Sequence, residues 1–145
     1  MTLTASTPAS APVSPISGIS DARYQPGVCN IGPAEIARRR RAGHVGALLT
    51  IALLVVLVVL NVPPLARLIV ALPAAAAASG YLQAAFKFCA GFASKGLFNL
   101  NQLGQEQHVA DLADRARDKA RANQILIGSL VIGLAVGVVA VLLPL

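Results

Sequence analysis

The stretch VGALLTIALLVVLVVLNV, residues 45–62, contains no ionised side chain and decides the fold of this chain. Two similar runs follow, LIVALPAAAAASGYLQAAF at residues 68–86 and ILIGSLVIGLAVGVVAVLL at residues 125–143. At about 1.5 Å of rise per residue, a helix of each length crosses a hydrocarbon core of about 30 Å. The runs therefore predict an all-α integral membrane protein with transmembrane helices over residues 45–62, 65–86 and 125–143.

The composition favours a membrane protein over a soluble one. The 145 residues are 56% hydrophobic and 12% charged, whereas soluble domains carry about 25% charged residues. Helices that are apolar on every side would stay uncovered in water. The abundance of alanine, valine and arginine is typical of a bacterial protein, so we expect the bacterial inner membrane. Residues 1–20 have no basic n-region and no apolar h-region, so we expect no cleavable signal peptide.

The basic residues predict the orientation in the membrane. If all three runs cross, 11 of the 12 Lys and Arg residues lie on one side, and Arg67 alone lies on the other. Arg67 is then close enough to the interface for its side chain to snorkel. The alanine-rich second run is only marginally hydropathic, but the bias vanishes if it does not cross. The positive-inside rule therefore predicts a cytoplasmic N-terminus and a C-terminus outside the cell.

The segments before the first run are polar. Residues 1–28 are rich in Ser, Thr, Pro and Ala, which predicts a disordered tail. Near its end, Gln25, Pro26 and Gly27 are a turn signal. Residues 29–44 form a short basic segment, in which Pro33 and Glu35 favour the start of a helix over residues 33–41. Four consecutive arginines then lie at the headgroup level, where they would contact anionic lipids. They are Arg38, Arg39, Arg40 and Arg41. The net charge of +6 thus favours a bilayer with anionic headgroups as the partner, and not nucleic acid.

The connections between the runs differ in character. Residues 61–64, Asn-Val-Pro-Pro, form a tight turn, which predicts an antiparallel hairpin of the first two helices. Residues 87–124 form a cytoplasmic segment that opens with aromatic residues and lysines. We expect these aromatic residues to anchor in the headgroup region, with a substrate-binding aromatic cluster as the alternative. The four phenylalanines of the chain are Phe86, Phe88, Phe92 and Phe98.

The charged stretch before the third run has the pattern of a helix. No helix-breaking residue separates it from that run, which predicts one continuous helix over residues 105–143. Acidic residues precede basic residues by three or four positions, a spacing that stabilises helices through ion pairs. The three predicted pairs are Asp111–Arg115, Asp114–Arg117 and Asp118–Arg121.

Two cysteines and two histidines are the only set that suggests a metal. Cys29, His44, Cys89 and His108 match the ligand types of a Cys₂His₂ zinc site. None of them forms a local pair of the C-x₂₋₄-C or H-x₃₋₅-H kind, so the spacing predicts no metal and no other cofactor. The cysteines could instead be acylated or pair transiently. The remaining alternative is two ordinary thiols and two solvated histidines.

Small residues mark one face of the third run. Ser129, Gly133 and Gly137 recur every four residues, a spacing that lets another helix backbone approach closely. The alanine run at residues 74–78 is the natural partner within the chain. A homo-oligomer or a larger membrane complex would use the same face between chains.

The residue types indicate a role without catalysis. The sequence holds no phosphate-binding glycine loop, no G-x-S-x-G and no H-E-x-x-H. The three runs also hold no ionisable side chain of the kind that marks a transport path. We therefore expect a small non-enzymatic accessory, scaffold or regulatory subunit with no catalytic residue. The alternative is a transport or pore-forming protein that self-associates.

Overall fold

The computed structural model describes residues 23–144, which are mostly helical. Helix α1 is Pro33–Val59, a 3₁₀ turn at Pro64–Val70 leads into α2 at Ala71–Ala85, and α3 is Ala90–Lys95. Two short strands follow, β1 at Leu97–Phe98 and β2 at Gln107–His108, and α4 is Leu112–Leu142. Within the described residues, three helices are long and apolar enough to cross a membrane: α1, the 3₁₀ turn with α2, and α4.

Helix α1 begins where the sequence predicted. Pro33 occupies its first turn together with Glu35, because proline lacks the N–H that would be unsatisfied there and a carboxylate complements the helix dipole. The helix then continues without a break to Val59. The predicted short helix over residues 33–41 and the first apolar run are thus one element. It ends at a turn in which Asn61 has a φ of 51°.

Helix α2 lies between α1 and α4 and packs antiparallel to each. Its approach to α1 depends on three glycines. A Cβ built at Gly80 would lie 2.6 Å from the backbone N of Gly43, and one built at Gly46 would lie 2.9 Å from the backbone of Ala77. Any side chain larger than hydrogen would separate the two backbones here.

The opposite face of α2 receives the small residues of α4. A Cβ at Gly133 would lie 2.6 Å from Ala75 Cβ, and one at Gly137 would lie 2.9 Å from Ala71 Cβ. Ser129 on the same face is 2% exposed, and its hydroxyl donates to the carbonyl of Ile125 at 2.7 Å. This face of α4 is therefore occupied within the chain.

Arg67 is buried where the turn after α1 meets the end of α4. Its side chain is 3% exposed, and its guanidinium donates at 3.3 Å to the carbonyls of Val62 and Leu143. Leu143 follows the last residue of α4, where the helix dipole is negative and favours a cation. Arg67 therefore ties the 3₁₀ turn to the end of α4.

The polar segments fold together at the other end of the helices. We call residues 23–32 and 86–111, with the first turns of α1 and α4, the headpiece. Its strands pair antiparallel, with Leu97 opposite His108, and Ile31 forms a parallel bridge to Asn99. Its apolar interior contains Phe88 and Ile31, both fully buried.

Two sequence predictions fail in the headpiece. Helix α4 begins at Leu112 and not at residue 105, because residues 107–108 pair with β1 and Asp111 caps the helix by accepting a bond from the N–H of Ala113. The phenylalanines were expected among lipid headgroups. Phe88 and Phe92 are instead buried, since the bend after α2 turns them toward α4 and α1.

The prediction of a disordered tail over residues 1–28 is wrong for residues 23–28, which are ordered. Residues 1–22 of that prediction lie outside the described residues. From Tyr24 onward the chain is held against α4, with a β-turn at residues 25–28 in which Gly27 has a φ of 70°. The turn is the one that Gln25, Pro26 and Gly27 indicated.

We predict that Gly133→Ala lowers the stability of the protein and that Gly128→Ala does not. The added methyl group at residue 133 meets backbone and Cβ atoms of α2 within 2.8 Å, and overpacking of this kind costs about 1–3 kcal/mol. At residue 128 the nearest atom outside the helix is a Leu82 methyl carbon at 3.4 Å. Thermal unfolding in detergent, with light scattering for oligomeric state, measures both variants. Equal melting temperatures for the two would contradict the packing.

Candidate functional site

Asn30 joins two segments that are far apart in the sequence. Its amide NH₂ donates to the carbonyl of Cys89 at 3.0 Å, and its amide oxygen accepts from the N–H of Cys89 at 2.6 Å. Its own backbone bonds to Lys87 and Asn99. Asn30 is fully buried, so a side chain without the amide oxygen would leave the buried N–H of Cys89 unsatisfied.

A buried ion pair lies beside the two hydrogen bonds between Asn30 and Cys89, which we call the clamp. Glu35 is 1% exposed, and its carboxylate oxygens lie 3.7 Å from the guanidinium groups of Arg38 and Arg39. These distances are those of ion pairs and exceed hydrogen-bond length. Arg39 also donates to Cys89 Sγ at 2.9 Å and lies 5.9 Å from the centre of the Phe92 ring. The charged chain therefore connects the first turns of α1 to α3.

The four arginines predicted to contact lipid are not equivalent. The side chain of Arg39 is 23% exposed and turns into the headpiece, whereas that of Arg38 is 61% exposed. Arg40 and Arg41 are exposed on the same helix. Three of the four thus remain available to an anionic surface, whereas Arg39 binds Glu35 and Cys89 inside the headpiece.

Asp118 holds the segment that precedes α1. Its carboxylate is fully buried and accepts from the hydroxyl of Tyr24 at 2.8 Å and the N–H of Gly27 at 2.7 Å. Burial of the ring, and then the carboxylate of Asp118, raise the pKa of the Tyr24 phenol. Tyr24 also stacks on Phe98, with ring centroids 4.6 Å apart. The carboxylate thus anchors this segment to α4.

The three predicted ion pairs of α4 meet different outcomes. Asp114 and Arg117 lie 3.6 Å apart as predicted. Asp111 caps the helix instead, and Arg115 donates to the carbonyl of Val109 at 2.6 Å. Asp118 faces the headpiece interior. The sequence predicted an exposed ion pair with Arg121, because an i,i+3 spacing does not indicate whether that face of the helix is buried.

The four candidate metal ligands lie in separate environments. His44 Nδ1 is 2.7 Å from the hydroxyl of Tyr81, and Cys89 bonds to Arg39. Cys29 points to the carbonyl of Ile31 at 3.7 Å, and His108 lies in β2. Within residues 23–144, no group of three His, Cys, Asp or Glu side chains is placed to hold a metal ion. Both cysteines are free thiols, and Cys89 is buried.

An open cavity of about 570 Å³ lies between residues 23–31, the ends of α1 and α2, and α4. Three basic side chains reach it, those of Arg23, Lys87 and Arg121. Its remaining wall is mostly apolar. The guanidinium of Arg121 lies 4.5 Å from the centre of the Phe86 ring, within the range of a cation–π contact. This cavity, with the network around Asn30, forms the candidate functional site.

The sequence contained the components of this site without their arrangement. Residues 29–36, C-N-I-G-P-A-E-I, and residues 86–92, F-K-F-C-A-G-F, match no motif of known activity. The structure shows that the two stretches meet through Asn30 and Cys89. A pairing of residues 59 positions apart leaves no periodic pattern by which the sequence could have predicted it.

Comparison with protein-family models, with curated proteins and with solved structures finds no match for this chain.

We predict that Asn30→Ala exposes the Cys89 thiol to alkylation. The variant leaves the N–H of Cys89 buried without a partner, at about 1–3 kcal/mol, and removes one of the two bonds to its carbonyl, which keeps the bond from the N–H of Ala93. The rate of maleimide labelling, measured in a Cys29→Ala background, reports how often the headpiece opens. Asn101→Ala is the control because Asn101 is exposed. Equally slow labelling of Cys89 in both variants would show that the clamp does not hold the headpiece closed.

The hydrogen bond between Tyr24 and Asp118 predicts a pH dependence. A raised pKa means that folding favours the neutral phenol, so this contribution is complete below the ordinary value of 10.0 and is lost as the pH rises through the raised pKa. Tyr24→Phe should therefore lower the free energy of unfolding by about 1 kcal/mol near neutral pH. The difference from wild type should shrink above pH 10. A difference that stays constant in the alkaline range would contradict this assignment.

Proposed function

We propose that this chain is an integral membrane protein whose three long helices anchor the headpiece at one membrane surface. The observation that carries the proposal is the exposure of large apolar side chains along the helices. On α1 they include Val45, Leu48, Leu49, Ile51, Val55, Val56 and Val59. On α4 they include Leu126, Ile127, Leu130, Val131, Leu134 and Val139. A surface of this extent is unfavourable in water and favourable in lipid.

The positions of the charges support an orientation with the headpiece in the cytoplasm. All basic residues except Arg67 belong to the headpiece or to the adjoining turns of α1 and α4. Because positively charged segments are retained on the cytoplasmic side, the N-terminus is cytoplasmic and the end of α4 faces outward. A bacterial inner membrane remains the location that the composition favours.

We further propose that the protein acts as a non-enzymatic accessory, scaffold or regulatory subunit. The polar side chains that could carry chemistry are engaged in holding the headpiece together. Glu35 and Arg39 pair with each other, Asn30 bonds to Cys89, and Asp118 bonds to Tyr24. What this arrangement supplies is a rigid basic surface held at a fixed height above the helices.

The polar groups of the long helices also bond locally. The hydroxyl of Thr50 donates to the carbonyl of Gly46 at 2.7 Å, and Gln83 donates to Ser79 at 2.8 Å. A groove of about 270 Å³ between α1, α2 and α4 is lined almost entirely by apolar side chains. These features support an anchoring role for the helices in preference to an aqueous path through them.

Cysteine labelling in whole cells tests the topology. In a background with Cys29→Ala and Cys89→Ala, a membrane-impermeant maleimide should label Leu65→Cys from outside. Gln102→Cys should react only after permeabilisation. Leu65 precedes α2 and is 77% exposed, whereas Gln102 is exposed in the loop between the strands. Labelling of both positions from outside would mean that α2 does not cross the membrane.

Ion flux from proteoliposomes separates the proposed role from self-associated transport. Purified protein reconstituted at increasing density should release entrapped ions no faster than protein-free vesicles, with gramicidin as the positive control. This follows because the polar groups of the helices are bonded locally. Release that rises steeply with protein density would contradict the accessory role and favour a pore.

A further inference from the structure

We propose that the cavity at the junction of the headpiece and the helices binds the phosphate group of an anionic membrane lipid. The inference rests on the proposed membrane location and adds a defined ligand site to it. It is distinct from the exposed arginines of α1, which do not line the cavity.

The charge of the cavity wall fits a phosphate. Among residues 23–144, Arg23, Lys87 and Arg121 line it, and no carboxylate does. The two described carboxylates closest in sequence to the lining residues, Glu35 and Asp118, are already engaged. Glu35 pairs with Arg38 and Arg39, and Asp118 accepts from Tyr24 and Gly27. The positive charge in the cavity is therefore left without an acidic partner in the wall.

Arg121 is held in a position suited to an anion. Its guanidinium stacks on Phe86, and one amino group donates to Gln124 at 3.1 Å. Its Nε has no hydrogen-bond partner among the described residues. A planar guanidinium with donors to spare is the group that proteins use most often to bind phosphate oxygens in a fixed geometry.

The cavity lies at the height of lipid headgroups. Arg121 is four residues before Ile125, where the third apolar run begins, and Phe86 is the last residue of the second run. Arg121 is therefore about 6 Å along α4 from the apolar region, and Phe86 lies at its edge. A phosphate at this height would still be joined to acyl chains within the bilayer.

The apolar part of the wall favours a lipid over a soluble anion. Val28, Ile36 and Phe86 line the cavity together with the basic groups. Val28 is 56% exposed and Phe86 is 40% exposed. These side chains would contact the glycerol and upper acyl carbons of a lipid, whereas free phosphate has no apolar part to cover them.

Native mass spectrometry of the full chain in detergent tests the site with dioctanoyl phosphatidic acid as the probe. The wild type should retain it in preference to dioctanoyl phosphatidylcholine. Arg121→Gln and Lys87→Gln should each weaken binding about fivefold, the equivalent of about 1 kcal/mol per basic group. Lys119→Gln is the matched control, since Lys119 is exposed on the same helix and does not line the cavity. Its effect should stay below about twofold.

Two results would overturn the lipid site. Equal effects of all three substitutions would indicate binding to general surface charge. The Lys87→Gln variant should keep its fold, because Lys87 is exposed. Competition by inorganic phosphate as effective as that by the lipid would indicate a soluble anion. Alkaline carbonate extraction of the wild type separates the two proposals. A chain that stays in the membrane without lipid preference rejects only the site, whereas an extracted chain rejects the membrane location.

Discussion

The close approach of α2 to both of its neighbours is the constraint on which the rest of the structure depends. Glycines 43, 46 and 80 bring its backbone against α1, and Gly133 and Gly137 bring α4 against its other face. Such contacts fix the position of each helix along its axis relative to its neighbour, because a small residue fits only opposite its own partner. We call this position the height of the helix. The alanine run that makes α2 weakly hydropathic is thus the feature that allows it to occupy the middle position.

The height of the helices determines what meets in the headpiece. With Gly80 against Gly43, the end of α2 brings Cys89 to Asn30, which lies three residues before the start of α1. On the other side, α4 places Asp118 under Tyr24 and Arg121 against Phe86. Buried hydrogen bonds of this kind add modest stability but strongly disfavour any other register, since a shift would leave them unsatisfied. The headpiece therefore locks the arrangement that the glycines permit.

The sequence predicted what depends on local pattern and missed what depends on distant partners. The start of α1 at Pro33 and the turn at Gln25 follow from local chemistry and are confirmed. The start of α4 was wrong because the pairing of residues 107–108 with β1 is not visible in helical periodicity. Asp118, Phe88 and Phe92 were predicted at the surface for the same reason, since their burial depends on segments many residues away. Orientation, partners and role remain proposals.

Disulfide formation between α2 and α4 tests the central packing most directly. In a chain without native cysteines, Ala71→Cys with Gly137→Cys should oxidise to an internal disulfide, because a Cβ at residue 137 would lie 2.9 Å from that of Ala71. A small separation of the two helices brings the pair to the distance of about 3.8 Å found in disulfides. Leu72→Cys with Gly137→Cys is the control, since Leu72 is 71% exposed. The account predicts a cross-linked monomer for the first pair and reduced thiols for the second. A cross-linked dimer from the first pair, or no cross-link at all, would contradict it.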